Sequence, residues 1–299
     1  GGGKAMLSIV RDGIVDSSII IDAYIKRDIP VSAAITEMAI LGDNAMAMAG
    51  AANEMHLLDC PQCEAELKGN KVKPLAYYST SSYMLMCTKP VESLADVKGL
   101  KIRATSAFGV WASAMGGTPV SITSSEIYEG MQRGQLDCTL GSPAWLKSYN
   151  LKDVVKSIVN LPMGSYFGAL IYDMNAKTWK GLPMAQKKAI VKHLPKLVSD
   201  IVTKYKSDSD TAIANAAAAG VKLTAADPAL LKLIAEHRKG EFARVSKKAA
   251  KAGIKNPEAL LTTFFAKVDK WNKIVKSING DPVKYQQALW DEVFSKLKY

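Results

Sequence analysis

The chain has 299 residues, of which 48% are hydrophobic and 22% charged, enough for about two domains with substantial cores. No run approaches the roughly 18 consecutive apolar residues of a membrane span. The net charge is +11, yet only six of the 39 basic residues are arginine and the lysines are spread over many segments, which argues against nucleic acid as a partner.

In chain order, Ala5, Met6, Ile9 and Val10 recur at helical spacing and Gly13 supplies a helix stop. The apolar run Val15 to Ile21 follows as a strand. The CxxC of Cys60 and Cys63 has three readings: half of a zinc site lacking a second pair, a redox motif, or a short local disulfide. The disulfide is the favoured one, and neither a metal nor a cofactor is expected. Val72 to Tyr78 is strand-like. Leu100 and Ile102 alternate with Lys101 and Arg103 as in a half-buried strand. Phe108, Trp111, Ala112 and Met115 form a helical face, and Val120 with Ile122 makes the next strand. Thr123-Ser124-Ser125-Glu126 is a capping box that opens a helix ended by Gly134. Leu136 to Leu140 is again a strand.

The two stretches around Gly13/Asp16 and Gly134/Asp137 share one plan of helix, glycine, aspartate and strand. This weak internal repeat points to two lobes of related α/β architecture. The C-terminal third is helical. Asp227-Pro228, Asn256-Pro257 and Asp281-Pro282 each place a capping residue before a first-turn proline, and Pro195 is expected to kink its helix.

No nucleophile elbow, phosphate loop or zincin motif occurs. His56, His193 and His237 stand in separate segments; the last two read as surface residues, and His56 as a half-buried structural one. No carboxylate pair stands out as a general acid and base, so the chain is not expected to be an enzyme. Binding is better supported. An arginine fork matches a carboxylate bidentately. The polar residues Ser82, Thr105 and Ser142, with Gly141, fall at the ends of predicted strands, where open α/β sheets bind ligands.

At this point the residues carry a resemblance. The run Ser93-Leu94-Ala95-Asp96-Val97-Lys98-Gly99-Leu100-Lys101-Ile102-Arg103 resembles the "DLKGLKIR" signature of the DctP-type solute-binding proteins of TRAP (tripartite ATP-independent periplasmic) transporters. Gly117-Thr118-Pro119-Val120, Ser125-Glu126-Ile127-Tyr128 and Met131 to Asp137 resemble a second family stretch. Gly2 to Leu7 with Val10 to Asp16 resemble an earlier one. The resemblance implies a two-lobed, type II-like periplasmic-binding-protein fold, with mixed sheets flanked by helices and a helical C-terminal region. It implies a periplasmic monomer that captures an organic acid and delivers it to a TRAP membrane permease.

The expected lobes are residues 1–80 with about 170–210, and 81–169 with about 211–299. Arg103 falls on the family's carboxylate-binding arginine. A second family arginine is replaced by the neighbourhood of Ser82 and Tyr83, and a frequent asparagine by Gly141. These departures favour a mono-acidic ligand with a neutral or aromatic remainder, lined by Tyr24, Tyr83, Trp111, Trp145, Tyr166 and Phe167. The family begins with a strand, a helix and a strand ahead of the motif on which this chain opens, so a trimmed sequence or an incomplete first lobe is expected. Two alternatives stand beside the transport reading: a redox enzyme using Cys60 and Cys63, and a ligand sensor for a signalling partner.

Overall fold

A computed structural model describes residues 2–298. Nine strands run in chain order: β1 (Ser17–Ile21), β2 (Val72–Tyr78), β3 (Met84–Cys87), β4 (Lys101–Arg103), β5 (Thr118–Val120), β6 (Cys138–Gly141), β7 (Ser157–Asn160), β8 (Ala169–Asn175) and β9 (Lys222–Ala225). They form two sheets, a three-stranded one ordered β1-β8-β2 and a six-stranded one ordered β5-β4-β6-β3-β7-β9. The first is antiparallel. The second is mixed, with β4 parallel to both β5 and β6 and β3 antiparallel to β6 and β7. The α/β expectation therefore holds. The two halves of the sequence repeat land one in each sheet, and Gly13 and Gly134 both adopt the left-handed conformation, φ 72° and 69°, that stops a helix at its C-terminus.

The helices are α1 (Met6–Arg11), α2 (Pro30–Thr36), α3 (Ala45–Glu54), α4 (Pro61–Gly69), α5 (Leu94–Val97), α6 (Ala107–Ala114), α7 (Ile127–Gln132), α8 (Trp145–Ser148), α9 (Ala176–Gly181), α10 (Met184–Ala214), α11 (Pro228–Lys251), α12 (Pro257–Ser277) and α13 (Pro282–Glu292). Asp227 and Asp281 cap α11 and α13 through their carboxylates, as their Asp-Pro pairs predict. Asn256 instead takes a left-handed backbone and makes no side-chain cap. Pro195 sits inside α10, which stays a single helix across it. None of the described helices is long and apolar enough to cross a membrane.

The chain passes from the first sheet to the second through residues 79–83 and returns through 161–168. These two crossings pair with each other: Thr80 N–H donates to the Tyr166 carbonyl at 2.8 Å, and Tyr83 N–H to the Gly164 carbonyl at 2.8 Å. Helix α10 makes the third passage, leading from α9, which follows β8, back to β9. Helix α12 lies along α3. The contact is close because Gly50 has no side chain to collide with Trp271, whose indole N–H donates to Glu54 at 2.7 Å.

Two disulfides are present. Cys60–Cys63 closes a local loop at the start of α4. Cys87–Cys138 joins directly opposed residues of β3 and β6, a pairing that the sequence spacing does not reveal.

His237 is not a surface residue as expected. Its side chain is only 12% exposed and lies 5.1 Å from the Trp111 ring. His56 is fully enclosed, stacks on Tyr77 at 4.5 Å, and burial pulls its pKa down to about 4. It is a neutral structural histidine, more deeply buried than the half-buried one expected.

Candidate functional site

The site is built where β4 and β6 end, at the carboxyl edge of their parallel pair. Arg103 is the last residue of β4 and is 2% exposed. Its Nε–H donates to the Ile122 carbonyl and its Nη2 to the Tyr24 hydroxyl, both at 3.1 Å. The sequence reading placed Ile122 in a strand. Strand β5 ends earlier, at Val120, and the Ile122 carbonyl serves the guanidinium instead. No acid lies within ion-pair distance of Arg103 among the described residues, and its Nη1 has no acceptor among them. A buried guanidinium without a counter-ion is costly. The arrangement thus favours an anion from outside.

The Tyr24 hydroxyl accepts a second hydrogen bond, from Ser124 N–H at 2.9 Å. With both acceptor positions taken, its own hydrogen is free to donate. The predicted capping box places Ser124: Thr123 N–H and Oγ1–H both donate to Glu126 at the start of that turn. Ser124 Oγ is also 2.9 Å from the Tyr149 hydroxyl.

Around the guanidinium stands a ring of aromatics. Trp145 lies with its ring centroid 5.5 Å from Arg103 Cζ, within cation–π range. Tyr83 and Tyr149 meet the Trp145 ring edge-on at 5.2 and 5.6 Å. Tyr78 from β2 stacks on Tyr205 of α10 at 5.8 Å, and α10 packs on α8, the helix that Trp145 opens. Burial pushes the Tyr83 and Tyr205 phenols above their usual range, so both remain protonated donors.

Of the residues singled out from sequence, the fold gathers Arg103, Tyr24, Tyr83, Gly141 and Trp145 here. Thr105 is buried two residues beyond Arg103. The others lie elsewhere. Ser142 Oγ joins a three-hydroxyl cluster with Ser81 and Ser209, at 2.7 and 3.2 Å, which ties the first crossing and the end of β6 to α10. Ser82 sits on that crossing, 3.4 Å from Ser165 Oγ. It faces a separate crevice of about 600 Å³ between α10 and the end of α12, which does not include Arg103. Tyr166 donates to the buried Asp22 at 2.6 Å, bracing the crossing, although its ring is 6.4 Å from Tyr83. Phe167 is a core residue, stacked on Phe264 of α12 at 4.9 Å. Sequence reasoning did not assign Tyr78, Ser124, Tyr149 or Tyr205 to the site: it read Tyr78 only as the end of a strand and Ser124 only as part of a capping box, and no local signal marks Tyr149 or Tyr205. Among the described residues no group of three metal-ligating side chains converges.

Comparison with known proteins bears on this arrangement. Residues 1–245 match the family described as DctP, bacterial extracellular solute-binding protein, family 7. A solute-binding protein of Albidiferax ferrireducens is 31% identical over 115 residues, 38% of this chain and 31% of that protein. The C4-dicarboxylate-binding periplasmic protein DctP of Rhodobacter capsulatus is 26% identical over 121 residues, 40% of this chain and 36% of that protein. The aligned stretches thus span about a third of these relatives' own length.

Among solved structures, a TRAP solute-binding protein from Rhodoferax ferrireducens with copurified benzoate superposes with a TM-score of 0.80 at 18% identity, covering 92% of this chain and 85% of that one. A TRAP periplasmic solute-binding protein from Bordetella bronchiseptica with bound mandelate gives 0.75 at 24% identity, covering 90% and 84%. These likenesses extend the agreement from sequence to fold. With the family match running over most of its length, the chain belongs to the DctP family of bacterial extracellular solute-binding proteins.

Proposed function

We propose that this chain is a solute receptor that encloses a small organic acid carrying one negative charge and delivers it, on the periplasmic side, to a TRAP membrane permease. The observation that carries the reading is Arg103: a buried guanidinium with no acidic partner among the described residues, one nitrogen uncommitted, and aromatic walls about it. The acid binds Arg103 with the Tyr24 hydroxyl as a second donor, and Tyr83, Trp145 and Tyr149 cover the remainder. Family relatives with bound benzoate and mandelate support an acid of this size.

The two lobes are read as residues 1–80 with about 170–210, and 81–169 with about 211–299. This division follows the two sheets, with one change. Helix α12 packs on α3, so we attach the last two helices to the first lobe. The paired crossings at 79–83 and 161–168 serve as the hinge. Closure is then driven by the contacts that the ligand makes with both lobes only in the closed form.

The test is calorimetric titration with a panel of aromatic and aliphatic acids. Arg103→Ala is expected to lower affinity at least 100-fold, about 3 kcal/mol or more. Unchanged affinity in that variant removes the basis of the proposal.

A further inference from the structure

Gly141 ends β6. Its φ is not positive, so the backbone does not call for glycine there. Space does: a Cβ at this position would run into Cε3 and Cζ3 of Trp145. The indole of Trp145, the first residue of α8, therefore rests directly on the glycine. From that seat it lies 5.5 Å from the Arg103 guanidinium and meets Tyr83 and Tyr149 edge-on. Arg103 is the one basic side chain that hydrogen-bonds to or stacks on these rings among the described residues.

We propose that Gly141 is a specificity-determining position: by leaving vacant the space of a side chain, it seats the Trp145 indole as a flat wall beside Arg103, so that the site takes aryl monocarboxylates in preference to aliphatic dicarboxylates. This deepens, and rests on, the assignment of Arg103 as the anion's anchor. A planar ring gains from contact with a flat indole. A second carboxylate would lose its water against aromatic walls without gaining a cation. A side chain at 141 displaces the indole and removes the discrimination at its source.

The experiment measures affinity for benzoate and succinate by calorimetry in the wild type, Gly141→Ala, Trp145→Ala, the double variant and Arg103→Ala. The wild type is expected to favour benzoate at least 100-fold. Gly141→Ala and Trp145→Ala each weaken benzoate at least tenfold and narrow the preference. The double variant binds no more weakly than Trp145→Ala alone, because the glycine acts only through the indole. Should Gly141→Ala fail to fold, Trp145→Ala and the double variant, in which the space has been vacated, decide the matter by the same criteria. The inference is overturned if Gly141→Ala keeps both affinity and preference, or if it costs a further tenfold in the Trp145→Ala background. Loss of binding in Arg103→Ala beside a silent Gly141→Ala sinks this inference alone. A wild type that binds neither acid, or an Arg103→Ala that binds as well as wild type, sinks the anchor and the inference with it.

Discussion

Arg103 Nη2 donates to the Tyr24 hydroxyl at 3.1 Å, and this bond joins the end of a strand in the six-stranded sheet to the turn that follows β1 in the three-stranded one. The same oxygen accepts Ser124 N–H. Tyr24→Phe leaves both donors without their acceptor and removes the free hydroxyl hydrogen offered to the ligand. Each unpaired donor costs about 1–3 kcal/mol. A tenfold or greater loss of acid affinity is expected in calorimetric titration, with the fold retained by circular dichroism. Equal affinity in the two proteins would show that the hydroxyl is a bystander.

How much of this site was legible beforehand follows from where its parts lie in the chain. Arg103, Gly141 and Trp145 sit at or just past strand ends, and strand ends can be read from local alternation and glycine stops. Tyr149 follows the short helix α8 and Tyr205 lies within α10, and neither carries such a mark. Only the return of α10 toward β6, seen in the serine cluster of Ser81, Ser142 and Ser209, brings Tyr205 inward. Phe167 shows the converse. It has the same local credentials as Tyr166, yet it turns into the core because Phe264, far along the chain, packs against it. Local periodicity marks β1, β2, β4, β5 and β6 but not β3, β7, β8 or β9. Strand β8 lies between β1 and β2 and completes the first sheet, so the sheet plan rests on pairings that no local pattern shows. The Cys87–Cys138 bond depends on the β3–β6 register and was not readable either.

Gly164 lies on the returning crossing with φ 97°. A Cβ there would collide with the Ala39 carbonyl oxygen and the Ile40 backbone. Both the dihedral and the space exclude a side chain, and neither obstacle is a flexible group that could move aside. Gly164→Ala is expected to destabilise the protein by more than about 1 kcal/mol, read as a lower midpoint in urea. The hinge reading adds a second expectation: ligand dissociation becomes faster than the loss of stability alone would produce. A variant with wild-type midpoint and dissociation rate would show that this crossing tolerates substitution.

Asp173 lies in β8 with both carboxyl oxygens buried and unpartnered among the described residues, and burial raises its pKa well above the usual range. Burial likewise raises Asp22 to about 7, against opposing hydrogen bonds from Thr36 and Tyr166. Both acids hold a proton more tightly folded than unfolded. Their stabilising share is therefore complete below about pH 4, the unfolded aspartate value. It is lost as pH rises, for Asp22 through about pH 7. The melting temperature should fall between pH 5 and 8. Asp173→Asn should flatten that decline and raise the melting temperature at pH 8, while the two proteins converge near pH 4. Parallel curves would mean that Asp173 binds its proton equally well in the folded and unfolded protein.

The two disulfides close loops of very different size. Cys60 and Cys63 are three residues apart, whereas Cys87 and Cys138 are separated by 51. In the chain-entropy description, the longer loop restricts the unfolded ensemble more, by about 4 kcal/mol against about 2 kcal/mol for the short one. The Cys87–Cys138 bond also fastens β3 to β6, the strand whose end carries Gly141 and leads into Trp145. Replacing Cys87 and Cys138 together by alanine should therefore lower the urea midpoint about twice as far as replacing Cys60 and Cys63. It should also weaken acid binding, by loosening the strand end beneath the indole. The Cys60/Cys63 variant should bind as the wild type does. The opposite ranking of the two pairs, in stability or in affinity, would mean that the local bridge, and not the cross-strand one, holds the site in shape.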